Sequence, residues 1–396
     1  MVGASFACAL RHALTDVDVS ILVIESFSPT SAKISSPSFD ARSTALSYGT
    51  SQIYSNIGLW QQLSSSATPI KEIQISDKGR FGSARITSEE QSVEALGFVI
   101  ENQALGQCLN SELDESDELQ FLCPAAIKKI TPEANGMSLE LEVESQQYVL
   151  SAKLVVLADG GKSPICEQLG ITRDITSYEQ QALIANVAFE KPHHNIAFER
   201  FTDTGPLAVL PLASVEGQNR CSLVWTLNTQ QVDEYQSLSE DELRARLQER
   251  FGNKLGRVLH IGERFCYPLS LAIAKEQIRP GLVLLGNVAH TLHPVAGQGL
   301  NLAMRDVEML VTTLRTALRE GKSPGSMQVL QHYLQVQQAD QDRAIGFTDY
   351  ATKLFSSNNS AKVLARKFGL LSIDLVPALR RELAKHAMGL AARRQT

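Results

Sequence analysis

Apolar residues change their spacing several times along this chain, and each change marks an element. Phe6, Leu10 and Leu14 recur at intervals of four, one face of a helix, and residues 19–24 follow as a strongly β-branched run, the signature of a buried strand. At Pro69 the pattern turns to alternation, with Ile73, Ile75, Phe81 and Ile86 apolar, which predicts a strand pair belonging to another sheet. A helical stretch over 102–113 leads to a hairpin of 139–143 and 148–150, and then to a second buried-type strand at 154–159, LVVLAD. Beyond Thr172 alternation returns: 182–189, 197–201, 207–212 and 221–226 predict strands of one antiparallel sheet, with a charged helix over 239–251 beside them. Residues 282–285 form a compact apolar strand, and Met304, Val307, Leu310, Val311, Leu314 and Leu318 then set the stripe of a long helix. No internal repeat or low-complexity tract interrupts the series.

The junctions between these elements carry the candidate chemistry. Between the 282–285 strand and the long helix sit Gly297, Gln298 and Gly299, followed by Leu300 and Asn301. Glycines there let the backbone approach a ligand closely, and the helix start offers unpaired N–H groups and a partial positive charge. After the 154–159 strand come Asp159, Gly160, Gly161, Lys162, Ser163 and Pro164, a polar turn. Glu25 ends the first strand 22 residues after Gly3, the spacing of the ribose-binding acid in a dinucleotide fold. Gly3 then reads as the last glycine of a GxGxxG motif, so the expectation is a truncated first strand and an incomplete phosphate cradle. His290 and His293 stand three apart, and no further ligands accompany them, so they are expected to be structural or to line a pocket rather than to hold a metal.

The string from Gly286 to Asp306, GNVAHTLHPVAGQGLNLAMRD, resembles the GDAAHxxxPxxGQGxNxxxxD pattern of the class A flavoprotein aromatic hydroxylases. Asn287 departs from it, standing where the family has an aspartate on a ribityl hydroxyl of FAD; asparagine keeps an acceptor oxygen and loses the charge. The asparagine looks like the ubiquinone-pathway branch, the 2-polyprenyl-6-methoxyphenol hydroxylases. Asp159 and Gly160 match the family's second motif, although the arginine common shortly after it is absent. Asp40, Ala41, Arg42, Ala45 and Leu46 resemble its DxRxxAL segment, whose arginine lies against the cofactor, and Asn102 falls where a polar helix residue flanks the flavin, with Gln103 an equal candidate.

The resemblance implies an α/β fold with a discontinuous Rossmann-like FAD-binding domain (1–70, 97–172 and 270–340). It implies an interleaved antiparallel-sheet substrate domain (71–96 and 173–269) and a C-terminal helical region (341–396). It also implies FAD as cofactor, with NAD(P)H and O2 as co-substrates, a flavin C4a-hydroperoxide, and hydroxylation of the aromatic ring of a polyprenylated phenol. In the segment 198–212, FERFTDTGPLAVLPL, Gly205 and Pro206 are expected to line the substrate pocket, with Pro294. No side chain declares itself as the catalytic acid or base. A sister hydroxylase of the same ring, a prenyl reductase of the same fold, and a non-catalytic subunit working with other ubiquinone-biosynthesis proteins stay open as alternatives.

Composition adds limits. The 396 residues, 43% hydrophobic, are enough for two or three domains with a large core. No apolar run approaches the roughly 18 to 20 residues of a membrane span, and the six cysteines form no CxxC, so a reducing cytoplasm is the expected compartment. The net charge of −6 excludes a general nucleic-acid-binding character, yet residues 361–396 carry eight Lys or Arg against Asp374 and Glu382. Leu375, Leu379, Leu383 and Leu390 form an apolar stripe in that tail, with Asp374 as an expected N-cap. Such a helix either packs on the domain or lies peripherally on the inner membrane, where a polyprenyl tail would be found.

Overall fold

In the computed structural model the described residues are 1–27, 42–77, 83–114, 119–294, 297–355 and 376–391. Asp40, Ala41, Phe81, Asp374 and Leu375 lie outside them, as do the tail's Lys362, Arg366, Lys367, Arg393 and Arg394.

The chain opens with α1 (Val2–Ala13), whose Phe6 and Leu10 are buried, and the short strand β1 (Ile21–Ile24). Then come β2 (Ser43–Ser47), α2 (Tyr48–Asn56), α3 (Trp60–Ser64), β3 (Ala67–Ile70), β4 (Glu72–Asp77), β5 (Ser83–Thr87), β6 (Gly97–Glu101) and α4 (Asn102–Asp114). Ser47 starts α2 by accepting a hydrogen bond from the Thr50 N–H at 3.2 Å. Next are β7 (Leu119–Leu122), β8 (Ala126–Glu133), β9 (Gly136–Val143), β10 (Gln146–Ala152), β11 (Val155–Leu157) and α5 (Pro164–Gln168). The large sheet follows with β12 (Arg173–Phe189), β13 (Ile196–Thr202), β14 (Gly205–Pro211) and β15 (Asn219–Asn228), then α6 (Val232–Ser237), α7 (Glu240–Phe251), β16 (Val258–Ile261) and β17 (Phe265–Ala274). The chain returns through β18 (Ile278–Arg279), β19 (Leu282–Leu284), β20 (His290–Thr291), α8 (Gln298–Arg319), α9 (Met327–Phe355) and α10 (Pro377–Ala387).

The dinucleotide-type half has two parallel pairings, β1 with β7 and β11 with β19. They belong to separate sheets, and one cavity runs between their facing residues, Leu22 and Ile24 on one side and Val155 and Leu157 on the other. Helices α1, α4 and α8 cover them through a core that includes Leu10, Leu109, Val307 and Leu314. The other half is a nine-stranded sheet in the order β20-β17-β12-β15-β14-β13-β4-β5, with β16 also on β12. It is antiparallel apart from β13 against β4, because β4 arrives from the other half of the chain. Ser239 caps α7 with a reciprocal capping box, and Leu243, Leu247 and Phe251 pack α7 on one face of the sheet. The opposite face looks into the cavity.

Two boundaries differ from the sequence reading. β17 runs through residue 270 to Ala274, so the division expected there falls inside a strand. β20, part of the glycine-rich motif, pairs with Ala272 and Ile273 of β17 and forms the edge of the substrate sheet. The motif therefore belongs to both halves at once. In the tail, α10 begins with Val376 at the N-cap and Pro377 at the first helical position. Its apolar side is turned inward: Ala384 and Met388 pack with Leu383 and Leu390 against Ile86 and Leu96, and the Met388 carbonyl accepts from the Gly49 N–H at 2.8 Å. No described helix is long and apolar enough to cross a membrane.

The ring of Phe251 lies 5.4 Å from those of both Phe189 and Phe198, and it is 1% exposed. Truncating it leaves a void that the sheet cannot close. Phe251→Ala is expected to cost about 3–5 kcal/mol in urea unfolding while flavin content of the folded protein stays unchanged, since α7 lies on the sheet face away from the cavity.

Candidate active site

The glycine-rich junction is held by a dense set of local contacts. Gly297 takes φ 60°, in the left-handed region, and a Cβ there would stand 3.2 Å from the Ala45 Cβ. No side chain caps α8 at Gly297, so the positive end of the helix dipole is directed at whatever lies against it. Asn301 fixes this end. Its Oδ1 accepts from the Ser47 N–H and the Thr50 hydroxyl, both at 2.8 Å, and its Nδ2 donates to the carbonyls of Ala45 (2.9 Å) and Gly297 (2.7 Å). One turn further on, buried His290 and Asp306 meet at 2.6 Å, and Gln341 of α9 donates to the second Asp306 oxygen at 3.1 Å. Arg305 pairs with Asp340 at 2.6 Å, tying α8 to α9 again.

Opposite this end lie the other loops. Gly3 lets α1 approach the end of β11, where a Cβ would meet Ala158 at 3.3 Å. The Glu25 carboxylate, at the end of β1, accepts from the Phe27 N–H at 2.9 Å. Gly160 takes φ 93° with open space around it. Arg173, the first residue of β12, donates to the carbonyls of Gly161 and Asn287 and to the Thr291 hydroxyl, so one guanidinium joins the Asp159 loop to the Asn287 loop. The guanidinium of Arg42 lies 4.6 Å from the centre of the Tyr267 ring, and Asn102 Oδ1 accepts from Thr44 at 2.6 Å.

One cavity of about 2040 Å³ gathers these groups. Its wall includes Gly3, Glu25, Arg42, Asn102, Asp159, Gly160 and Asn287, together with Pro294, Gly297, Gln298, Gly299, Leu300 and Asn301. Gly205 and Pro206 are not in that wall. Their turn is pinned within the sheet: Thr202 donates to the Gly205 carbonyl, Thr204 to the Thr226 carbonyl, both at 2.8 Å, and a Cβ on Gly205 would meet Thr226 at 2.8 Å. Farther along β14, Ala208 and Leu210 reach the cavity instead.

A phosphate-bearing dinucleotide fits what is present. The uncapped α8 N-terminus attracts an anionic edge, the glycines leave room beside the backbone, and the buried Ser43 Oγ on the cavity wall has no hydrogen-bond partner among the described residues.

Comparisons with known proteins show the family to which the chain belongs. Residues 5–339 match the family described as FAD binding domain. The chain belongs to that family. It is 33% identical over 392 residues to the ubiquinone hydroxylase UbiL of Rhodospirillum rubrum, covering 98% of this chain and 87% of that protein. It is 29% identical to the 3-demethoxyubiquinol 3-hydroxylase of Escherichia coli, covering 98% and 96%. Among solved structures, p-nitrophenol 4-monooxygenase PnpA from Pseudomonas putida superposes with a TM-score of 0.78 at 20% identity, over 99% of this chain and 96% of that one, a likeness of fold. The protein is thus an FAD-dependent oxidoreductase of the aromatic hydroxylase type.

Two features escaped the sequence reading. Arg173 carries no motif around it, and only the loops it bridges reveal it. Glu199 had a signal: strand alternation in Ala197, Phe198, Glu199, Arg200 and Phe201 puts Ala197, Glu199 and Phe201 on one face, and all three line the cavity. Burial pushes the Glu199 carboxyl up to about 7.

His293 is fully buried, edge-on to Tyr178 at 5.2 Å, and desolvation pulls its imidazole down to about 4 from 6.5. Between those values the unfolded chain binds a proton that the folded chain refuses, so stability present above pH 6.5 is lost as pH falls towards 4. On the conversion of 1.36 kcal/mol per pKa unit, wild type at pH 4.5 is expected to lose about 2 kcal/mol more than His293→Asn, relative to pH 7, in urea unfolding of the flavin-loaded protein.

Proposed function

We propose that this protein hydroxylates the aromatic ring of a polyprenylated phenol in ubiquinone biosynthesis, with 2-polyprenyl-6-methoxyphenol as the substrate class. The observation that carries the reading is the composition of the large cavity. One side is polar and rich in glycine around the α8 N-terminus; the other is the aliphatic face of the large sheet, with Ile75, Ala208, Leu210 and Val224. A ring can therefore lie in an apolar chamber beside the cofactor end, where excluded water protects a reactive oxygen from loss. The names of the relatives, ubiquinone hydroxylase and 3-demethoxyubiquinol 3-hydroxylase, support this class of substrate.

Arg42, Asn102, Asp159, Asn287 and residues Gly297 to Asn301 would hold FAD, with Gly3 and Glu25 at its adenosine end. Bound FAD would supply the redox chemistry, accepting reducing equivalents from NAD(P)H and activating O2. The residues of this chain bind and orient: Arg173 keeps the two loops in register, and Pro294 and Leu292 close the wall between cofactor end and sheet. The tail of the substrate places the enzyme beside a membrane, and the exposed Val376 and Leu379 with Arg381 on α10 are the surface offered to it.

The test uses 18O2 and a short-chain 2-prenyl-6-methoxyphenol with the flavin-loaded enzyme and NADPH or NADH. The expected product carries one 18O on the ring, and its position separates this substrate step from that of a sister hydroxylase. Nicotinamide oxidation yielding only hydrogen peroxide for every phenol tried would contradict the proposal.

A further inference from the structure

The face of the large sheet that looks into the cavity can be followed residue by residue across the strands. Ile75 of β4 pairs with Glu199 of β13, Glu199 with Ala208 of β14, Ala208 with Val224 of β15, and Val224 with Ile184 of β12. Directly paired residues share a face, and all five line the cavity. The neighbouring row, Ile73, Ala197 and Leu210, is also at the wall and is apolar. Glu199 is thus a carboxyl set into the middle of an otherwise aliphatic floor. Core alternation alone asks for an apolar side chain at this position, and a carboxyl costs solvation there.

We infer that Glu199 is the base that accepts the hydroxyl proton of a phenol bound in this cavity. The inference rests on the phenol reading above. In the step, the phenol O–H bond breaks, the proton goes to a carboxylate oxygen of Glu199, and the electron pair stays on the phenol oxygen as phenolate. The ring becomes more electron-rich at its ortho and para carbons, which is where an electrophilic oxygen attacks. Negative charge passes from one oxygen to another a hydrogen bond away, so the net charge of the apolar chamber does not change. This is why a carboxylate suits the site better than water would.

The surroundings agree with that task. Other charged or titratable groups of the wall include Arg42, Asp159, Lys162, Tyr267 and Tyr350, and Asp77 lies two residues beyond Ile75, outside the wall. Burial without an offsetting charge is what raises this carboxyl to about 7, close to the working pH at which a general base is most effective.

The experiment compares wild type, Glu199→Gln and Glu199→Asp as flavin-loaded enzymes, with a prenylated methoxyphenol and its ring-fluorinated, more acidic analogue, between pH 6 and 9. At pH 7, Glu199→Gln is expected to lose kcat by about 100-fold or more with KM little changed and flavin content equal to wild type. Its activity should climb with pH as free phenolate becomes available, and the fluorinated phenol should restore much of the loss. Glu199→Asp should recover part of the activity. A loss that is the same for both phenols and flat with pH would mean a packing role and overturn the inference. So would a Glu199→Gln enzyme within about threefold of wild type, which would leave the phenol reading standing. A wild type that turns over no phenol would overturn both.

Discussion

Four hydrogen bonds from one side chain hold this site together. Asn301 uses both lone pairs of its carbonyl and both hydrogens of its amide on four different partners: Ser47, Thr50, Ala45 and Gly297. These bonds fasten the start of the 22-residue helix α8 to the β2–α2 corner. The N-cap is a glycine in a left-handed conformation with no side-chain cap, and the turn it opens cannot drift, because Asn301 is in the same turn. An anion-facing helix end is useful only if it is fixed relative to what it must face. The remaining polar contacts extend the same constraint: His290 with Asp306 and Gln341, and Arg305 with Asp340, lock the next turn against α9.

Because β20 of the same segment is an edge strand of the large sheet, fixing α8 also fixes the cavity's apolar floor relative to its polar end. The substrate half and the cofactor half therefore share a segment rather than merely touching. Arg173 does the corresponding work on the far side, from the first residue of the longest strand. Within this frame Glu199 is a costly choice. A carboxyl in an aliphatic row weakens the fold at neutral pH, and a cost of that kind at a cavity wall is where function is to be sought.

Much of this could be read from the chain. The 3.6-residue stripe from Met304 to Leu314 gave α8, and the apolar run before Gly286 gave the strand that feeds it. The motif between them, Gly286 to Asp306, already resembles that of the family. Alternation located β13, β14 and β15 within two residues, but β12 starts at Arg173 rather than at 182, and β16 and β17 went unread. The failures have physical causes. Gly205 and Pro206 looked like a pocket edge because glycine and proline mark turns, and nothing in one sequence shows that the turn packs on Thr226. Arg173 was invisible because its partners are backbone carbonyls, which leave no trace in a sequence. Glu199 was legible by strand parity, yet a charged residue in a strand usually lies on the outer surface, and only the pairing across five strands shows that this one faces the cavity. In the tail, Leu375, Leu379, Leu383 and Leu390 read as one stripe; Leu383 and Leu390 pack inward with Ile86 and Leu96, Leu379 is exposed, and Leu375 lies outside the described residues.

The most direct test of this account is the FAD affinity of Asn301→Asp, measured by flavin fluorescence titration of apoprotein whose circular dichroism matches wild type. The substitution keeps size and acceptors but removes both donors and sets a charge against the Ala45 and Gly297 carbonyls. With at least 1–3 kcal/mol at stake per unsatisfied group, FAD binding should weaken by about tenfold or more, tenfold being 1.4 kcal/mol. A folded Asn301→Asp protein that binds FAD as tightly as wild type would contradict the claim that the fixed α8 N-terminus is the cofactor end of the site.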